Sequence, residues 1–379
     1  MKKLIVSSSS LRNAMKTAIK VVNKKSVLPI LECFKCEVRI MNNSATLHVF
    51  ATDLETHILV SVACEANEEF KFILPASELA FVEKLSDQPL TIEVDDSTQT
   101  IKIHTESETV KATGEKVDDF PILPNSPCKF LGYVSSEFFV EIKTALKYVS
   151  TDTRFSKTQY LGVGIETTKE GLTVCATDAT MMRITNLTAQ AEGDAIGEKF
   201  VMNPTFCKLI ATFKKADEIH LALMKKKDRC HTVLSFRIDN MAVSIVSQNL
   251  DCQLVDYKRV IPGEWNTQVN LDKQDLKNRI EKAMLYSDQT NYQGAFSING
   301  KVILTANEFD KGKEYTTQMP HIKKEGQDIE IGLNLSCLKK ILSDVQNAVV
   351  NFELTTPFRA IVIKEDNSIT LLMPIQLRA

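Results

Sequence analysis

The chain has 379 residues, enough for two or three domains each with its own core, and its 44% hydrophobic and 25% charged make-up is that of an ordinary globular protein. No apolar run approaches the roughly 20 residues of a membrane-spanning helix, and Met1-Lys2-Lys3 followed by a short apolar run and four serines does not have the form of a signal peptide. Nine cysteines, an odd number without framework spacing, are expected to be reduced thiols of a cytoplasmic protein, and a formal charge of −2 taken alone argues against a polyanionic partner.

Leu4-Ile5-Val6 predicts a first strand, and Ser9 or Ser10 can cap a helix over Leu11 to Lys25. Leu11, Met15, Ala18, Ile19 and Val22 fall on one side of that helix, with Arg12, Lys16, Lys20 and Lys24 on the other and no acid among them. Alternation predicts strands at Phe34 to Ile40, Ala45 to Thr52 and His57 to Ala63. Phe72 to Ser77 is expected to enter a helix running through Leu85, followed by strands at Leu90 to Val94, Thr100 to His104 and Val110 to Thr113, closing on Phe120-Pro121-Ile122-Leu123-Pro124.

The order then repeats. Ile142-Lys143-Thr144-Ala145-Leu146-Lys147-Tyr148-Val149 answers Met15 to Val22, and Ile280-Glu281-Lys282-Ala283-Met284-Leu285-Tyr286 is a fainter third copy. The second round has strands at Tyr160 to Glu166, Leu172 to Thr177 and from Ile184, a helix after Pro204, and strands at Glu218 to Leu223, Thr232 to Ile238 and Met241 to Val246. The third has strands at Ala295 to Ile298 and Lys301 to Thr305, a charged loop, a strand at Ile329 to Leu333 and a last helix after Asn334. Ala51-Thr52-Asp53, Ala176-Thr177-Asp178 and Thr305-Ala306-Asn307 recur at nearly the same spacing. The expectation is an α+β fold of three tandem copies, 1–126, 127–264 and 265–379.

Covalent chemistry finds little support. The repeated Asp53 and Asp178 could be paired carboxylates, but the third copy has Asn307, and Thr-Asp also suits a turn in which both side chains bond their own backbone. Cys33 and Cys36 form a CxxC inside an alternating strand, where side chains three apart point to opposite faces. The six histidines lack ligand spacing, and Gly162-Val163-Gly164 lacks the third glycine of a nucleotide fingerprint. No metal or cofactor is expected.

Charge is distributed unevenly. The six expected helices carry seventeen basic and eight acidic residues, a net of +9, which leaves −11 elsewhere. Positive helices on a negative body attract a polyanion at one face and repel it at others.

Leu28-Pro29-Ile30-Leu31, Ala51-Thr52-Asp53-Leu54-Glu55, Asp118-Asp119-Phe120-Pro121, Asp152-Thr153-Arg154-Phe155 with Gly162-Val163, Ala176-Thr177-Asp178, Asp256 to Pro262 and Met373-Pro374-Ile375-Gln376-Leu377 occur in one order. In that order they resemble the bacterial sliding clamps, the β subunits of DNA polymerase III, over essentially the full length. The resemblance implies clamp-type domains of two helices on antiparallel sheets, six of them forming a ring in a head-to-tail homodimer with helices lining the hole. It implies a non-catalytic processivity factor that encircles double-stranded DNA without reading sequence, and tethers the polymerase, the clamp loader and repair proteins through short linear peptides.

By the same resemblance, Arg12, Lys16, Lys20, Lys25 and Lys208 face DNA, with Arg154 and Phe155. Tyr160, Thr177, Ala179, Thr180, Met181 and Met182 form one side of a peptide pocket between the second and third domains. Val255, Arg259, Val260, Asn334 and Phe358 form another, and Met373, Pro374, Ile375, Gln376 and Leu377 complete it. Val110 meets Leu285 and Tyr286 of a second copy. The family usually has Gly-His-Arg where this chain has Ala179-Thr180-Met181-Met182, a leucine in place of Tyr160, and arginine in place of Gln376, with Arg378 and Ala379 added. These departures bear on which peptide is preferred. Two other classes stay open: an enzyme on a triplicated fold, which would lose activity on a single change at Asp53 or Asp178, and a DNA-free scaffold, which would not need positive helices.

Overall fold

A computed structural model describes residues 1–22, 26–122, 124, 126–154, 156–190, 193–226 and 229–377. The order strand, helix, four strands, helix, three strands occurs three times, with one short extra strand in the last round. The first helices of the rounds are α1 (Ser8–Ala18), α3 (Glu137–Ala145) and α5 (Lys273–Met284); the second are α2 (Leu79–Val82), α4 (Pro204–Ile210) and α6 (Leu335–Leu342). The repeated sequence motif places a buried alanine in the last turn of each first helix: Ala18, Ala145 and Ala283. A small residue there lets the helix end lie close to what it covers.

Packing groups the chain into two compact units: Met1–Val140, Thr188–Gly197 and Thr205–Asp251 form one, and Glu141–Leu187, Glu198–Pro204 and Cys252–Ala379 the other. In the first, an antiparallel sheet runs Phe70–Pro75, Cys33–Met41, Ser44–Thr52, Thr56–Ala66, Met241–Gln248, Arg229–Ile238, Asp217–Lys226 and Cys128–Val134. The long strand Thr56–Ala66 also reaches a second sheet, continuing through Lys2–Ser7, Pro89–Asp95, Thr100–His104 and Thr109–Thr113. α1 covers the sheets with Leu11, Ala14, Met15 and Ala18, each 0% exposed. Burying one such leucine or methionine contributes about 1.5–3 kcal/mol.

In the second unit an antiparallel sheet runs Lys323–Gly326, Thr267–Asp272, Val349–Leu354, Ile361–Lys364, Ser368–Leu372 and the first half of Met181–Gln190. Val163–Thr168 lies between Gly171–Thr177 and Lys199–Met202. A four-stranded sheet has the order Lys313–Met319, Val302–Glu308, Gln293–Ile298, Ile329–Asn334. α5 and α6 lie side by side, their buried leucines and isoleucines backed by a 3.0 Å ion pair between Lys339 and Glu281.

Four expectations need correction. The first helix stops at Ala18 instead of running to Lys25, and Lys24 and Lys25 lie outside the described residues; β-branched Ile19, Val21 and Val22 weaken helix just there. α2 is one turn, preceded by a 3-10 turn at Ala76–Glu78, shorter than the expected helix from Ser77 through Leu85. Tyr160 ends the 3-10 turn Thr158–Tyr160 and precedes the strand assigned to it. The charged loop of the third round contains an edge strand, Lys313–Met319, and Thr305 to Asn307 lies inside a strand paired with it.

Candidate peptide groove and basic helix faces

The Thr-Asp repeat is a turn built twice. In the first copy Asp53 Oδ1 accepts from Glu55 N at 3.0 Å and Thr56 N at 2.6 Å, Thr52 Oγ1 accepts from Leu54 N at 2.9 Å, and Leu54 has φ 79°. In the second, Asp178 Oδ1 accepts from Thr180 N at 2.8 Å and Met181 N at 2.7 Å, Thr177 Oγ1 accepts from Ala179 N at 3.0 Å, and Ala179 has φ 74°. Both carboxylates are thereby engaged by backbone, the turn reading of these residues. Ala179 stands in the left-handed region where the related pattern has glycine, at a strain of about 1 kcal/mol.

This turn delivers Met181 and Met182 onto the strand Met181–Gln190, paired with Leu372 and Leu371 of the last strand. Met182 and Leu371 share a buried cluster with Cys175, Ile184, Tyr257, Ala360 and Val362, and Leu254, Val255, Ile261 and Ile369 pack against it. Leu254 reaches that position because Gly164 has no side chain: a Cβ there would lie 2.0 Å from Leu254 Cδ1. That close approach gives Gly164 of Gly162-Val163-Gly164 a packing reason.

Past Leu372 the chain stays extended. Met373 N donates to Thr180 O at 2.9 Å, and Ile375 N donates to Gly332 O at 2.9 Å. Gly332 is a tight approach, since a Cβ would meet Ile375 O at 2.4 Å and Leu377 Cδ2 at 2.8 Å. Met373, Val260 and Phe358 are exposed, Phe358 by 80%, while Pro374, Ile375 and Leu377 are half-buried and Gln376 is exposed. The predicted pocket residues Thr177 to Met182, Val255 and Met373 are thus linked by direct bonds or packing, while Ile375 and Leu377 lie against Gly332. Asn334 instead caps α6, accepting from Cys337 N at 2.9 Å, and Arg259 pairs with Asp256 at 2.9 Å. Tyr160 and Phe358 are not joined to the cluster by any of these bonds. Sequence reasoning missed Leu254 and Gly332; the signal for both was a glycine inside a strand.

The basic helix residues are more engaged than their one-sided pattern implied. Arg12 donates through Nε to Val82 O at 3.2 Å and through Nη2 to Leu85 O, so its guanidinium closes the end of α2. Lys16 pairs with Glu83 at 3.2 Å. Lys20 Nζ donates to Thr212 Oγ1 at 2.9 Å and lies 4.3 Å from the centroid of Phe213, where partial burial lowers its pKa. Lys208 is exposed on α4, and Arg154 is exposed beside Asp152. Lys25 and Phe155 lie outside the described residues.

For the contact with a second copy, Val110 lies on the edge strand Thr109–Thr113 of the first unit. Leu285 caps the C-terminus of α5 in the second and Tyr286 follows it, Leu285 71% exposed and Tyr286 stacked 5.6 Å from Tyr315 of the edge strand Lys313–Met319. The thiols of Cys33 and Cys36 are buried, Cys33 pushed up to about 11 first by burial and then by Glu115 and Glu32, and Cys36 pushed higher by burial, which disfavours redox chemistry. No group of metal-ligating side chains occurs among the described residues, and no helix there is long and apolar enough to cross a membrane.

The family model described as DNA polymerase III beta subunit, N-terminal domain, matches residues 2–124, and the one for the C-terminal domain matches residues 258–376. The chain belongs to the DNA polymerase III beta subunit family. It is a non-catalytic sliding clamp of DNA replication, not an enzyme. It is 24% identical over 393 residues to the beta sliding clamp of Synechococcus elongatus, covering 100% of both chains. It is 22% identical over 367 residues to that of Pseudomonas aeruginosa, covering 94% of this chain and 95% of the relative. The crystal structure of the Pseudomonas aeruginosa subunit has the same fold, with a TM-score of 0.85 at 19% identity over 99% of this chain and 100% of that one. The Thermotoga maritima subunit gives 0.80 at 21% identity over 100% of both.

Proposed function

We propose that two copies of the chain, each of three clamp domains bounded near 126 and 264, close into a ring around double-stranded DNA and hold partner proteins by short peptides. The observation that carries this reading is the threefold recurrence of one element order, each round bringing two helices, and the six helices together carry ten basic and four acidic residues, +6, in a chain whose net charge is −2. A contact that must slide uses lysine and arginine to phosphate without base readout, and Lys16, Lys20, Lys208 and Arg154 suit that work. Arg12 adds charge from a fixed position. Cytoplasmic location fits nine cysteines that form no disulfide among the described residues.

Two edge strands, Thr109–Thr113 and Lys313–Met319, suit pairing between copies, flanked by Val110 on one and by Leu285, Tyr286 and Tyr315 at the other. Two copies of one such heterologous contact close a ring. The peptide site is the groove along Met181, Met182, Val255, Val260 and Met373 to Leu377, where methionines allow repacking around different partners. Its ligand is a short peptide with a glutamine and apolar anchors from the polymerase, the loader or repair proteins. Sedimentation tests the ring: a mass twice the 42.5 kDa of the chain is expected, and a stable monomer would overturn the reading.

A further inference from the structure

The loop Cys252–Lys258 and the strands Val163–Thr168 and Lys199–Met202 enclose a cavity of about 380 Å3 that the function above does not use. Glu166 stands at its floor, 6% exposed, and its carboxylate accepts from Tyr257 Oη at 2.6 Å and Lys258 Nζ at 3.0 Å, with Lys199 Nζ at 3.5 Å. Burial pushes the Glu166 pKa up, but the hydrogen bonds of Tyr257 and Lys258 and the charges of both lysines outweigh it and hold it low. Glu166 is therefore ionised, and the trio of Glu166, Lys199 and Lys258 carries +1.

Both ammonium groups reach the same oxygen, Oε1, which places the two nitrogens within about 6.5 Å of each other. The side chains are otherwise open to water, 54% and 62% exposed, and each ammonium has further N–H groups to offer. The nearest loop carboxylate, Asp256, is already paired with Arg259. Two like charges held together on one oxygen are a place for a second anion. A net charge of only +1, beside the carboxylates of Glu166 and Asp256, suits a single carboxylate better than a dianionic phosphate.

We propose that this cavity is an acidic subsite of the partner groove, in which Lys199 and Lys258 receive a carboxylate flanking the apolar anchors of the bound peptide. The inference rests on the groove reading, and two residues join the sites. Val255 lines the cavity and packs on the methionine cluster. Tyr257 has its ring in that cluster and its hydroxyl on Glu166. The partner chemistry is then an apolar motif with an adjacent aspartate or glutamate, and neutral motifs bind more weakly.

Calorimetry with two synthetic peptides tests this. Both carry one glutamine with leucine and phenylalanine anchors; one is flanked by aspartates, the other by asparagines. The acidic peptide is expected to bind about fivefold tighter at low salt, with the advantage shrinking at high salt. Lys199→Ala with Lys258→Ala removes the advantage and leaves the asparagine peptide unchanged. Glu166→Gln keeps an acceptor for Tyr257 but deletes the competing charge, so it enlarges the advantage, which loss of a structural role would not do. An advantage that survives the double lysine change, or shrinks in Glu166→Gln, overturns the proposal. If the asparagine peptide binds and the acidic one gains nothing, the groove stands and the subsite falls; if neither binds, both fall.

Discussion

Asp178→Ala isolates the link between the Thr-Asp turn and the groove. The change removes the acceptor for Thr180 N and Met181 N, at 2.8 and 2.7 Å, and leaves the turn to Thr177 Oγ1 and to strained Ala179. A hydrogen bond to a charged group contributes about 1.5–3 kcal/mol, but water replaces part of it in a half-buried turn, so a loss of about 2 kcal/mol is expected for the pair. That corresponds to a drop of about 4–8 °C in Tm for a domain of this size. Asp53→Ala is the matched control: it breaks the twin turn, with contacts to Glu55 N and Thr56 N of similar length, and should lower stability comparably. Peptide binding should separate the two, because Thr180 O holds Met373, and Met181 and Met182 pair with the last strand. Scanning calorimetry with a peptide titration reads both quantities. Equal weakening of peptide binding by both changes, or an unchanged Tm in Asp178→Ala, would refute this account of the turn.

Ala179→Gly relieves the left-handed strain and is expected to raise stability by up to about 1 kcal/mol in denaturant titration, less the added freedom of the unfolded chain. His57, buried against Thr52 Oγ1 at 2.7 Å, has its pKa pulled from 6.5 to about 4, first by burial and further by His231 and Lys226 against an opposing Asp53. The fold holds the neutral ring and the unfolded chain binds the proton, so stability falls as pH drops from 6.5 toward 4, by about 2 kcal/mol after allowance for solvent screening; His57→Gln should flatten that limb of a Tm-versus-pH curve. Leu285→Ala with Tyr286→Ala should give monomers by analytical ultracentrifugation, and an unchanged mass would place the contact elsewhere. Deleting residues 373–379 should abolish peptide binding while preserving the dimer, though losing the Ile375–Gly332 bridge and Leu377 packing will lower Tm by a few degrees.

Strands with one apolar face, such as Thr56–Ala66 and Pro89–Asp95, were legible because burial of alternate residues writes a period of two into the sequence. Lys313–Met319 was not: its burial alternates, but only Met319 is buried, and Tyr315 and Thr317 at the other inward positions carry no aliphatic side chain to mark the period. The turn residues Asp53 and Asp178 could be assigned because their partners lie two and three residues away. Arg12 and Lys16 could not, since Val82, Leu85 and Glu83 are remote in sequence and only the fold brings them close. The groove was half visible: its methionines and terminal apolar run stand out, while Leu254 on Gly164 and Ile375 on Gly332 depend on backbone approach that pattern alone does not record.

Encirclement is most directly tested by loading labelled protein with its clamp loader onto nicked circular duplex, washing at high salt, and then linearising the DNA. Screening removes phosphate contacts but not topology. A ring linked topologically to DNA stays on the circle through the wash and leaves when the circle is cut, and Lys16→Glu with Lys20→Glu is expected to lower processive synthesis on primed circles. Release in the wash from intact circles, or retention after cutting unblocked ends, would contradict it.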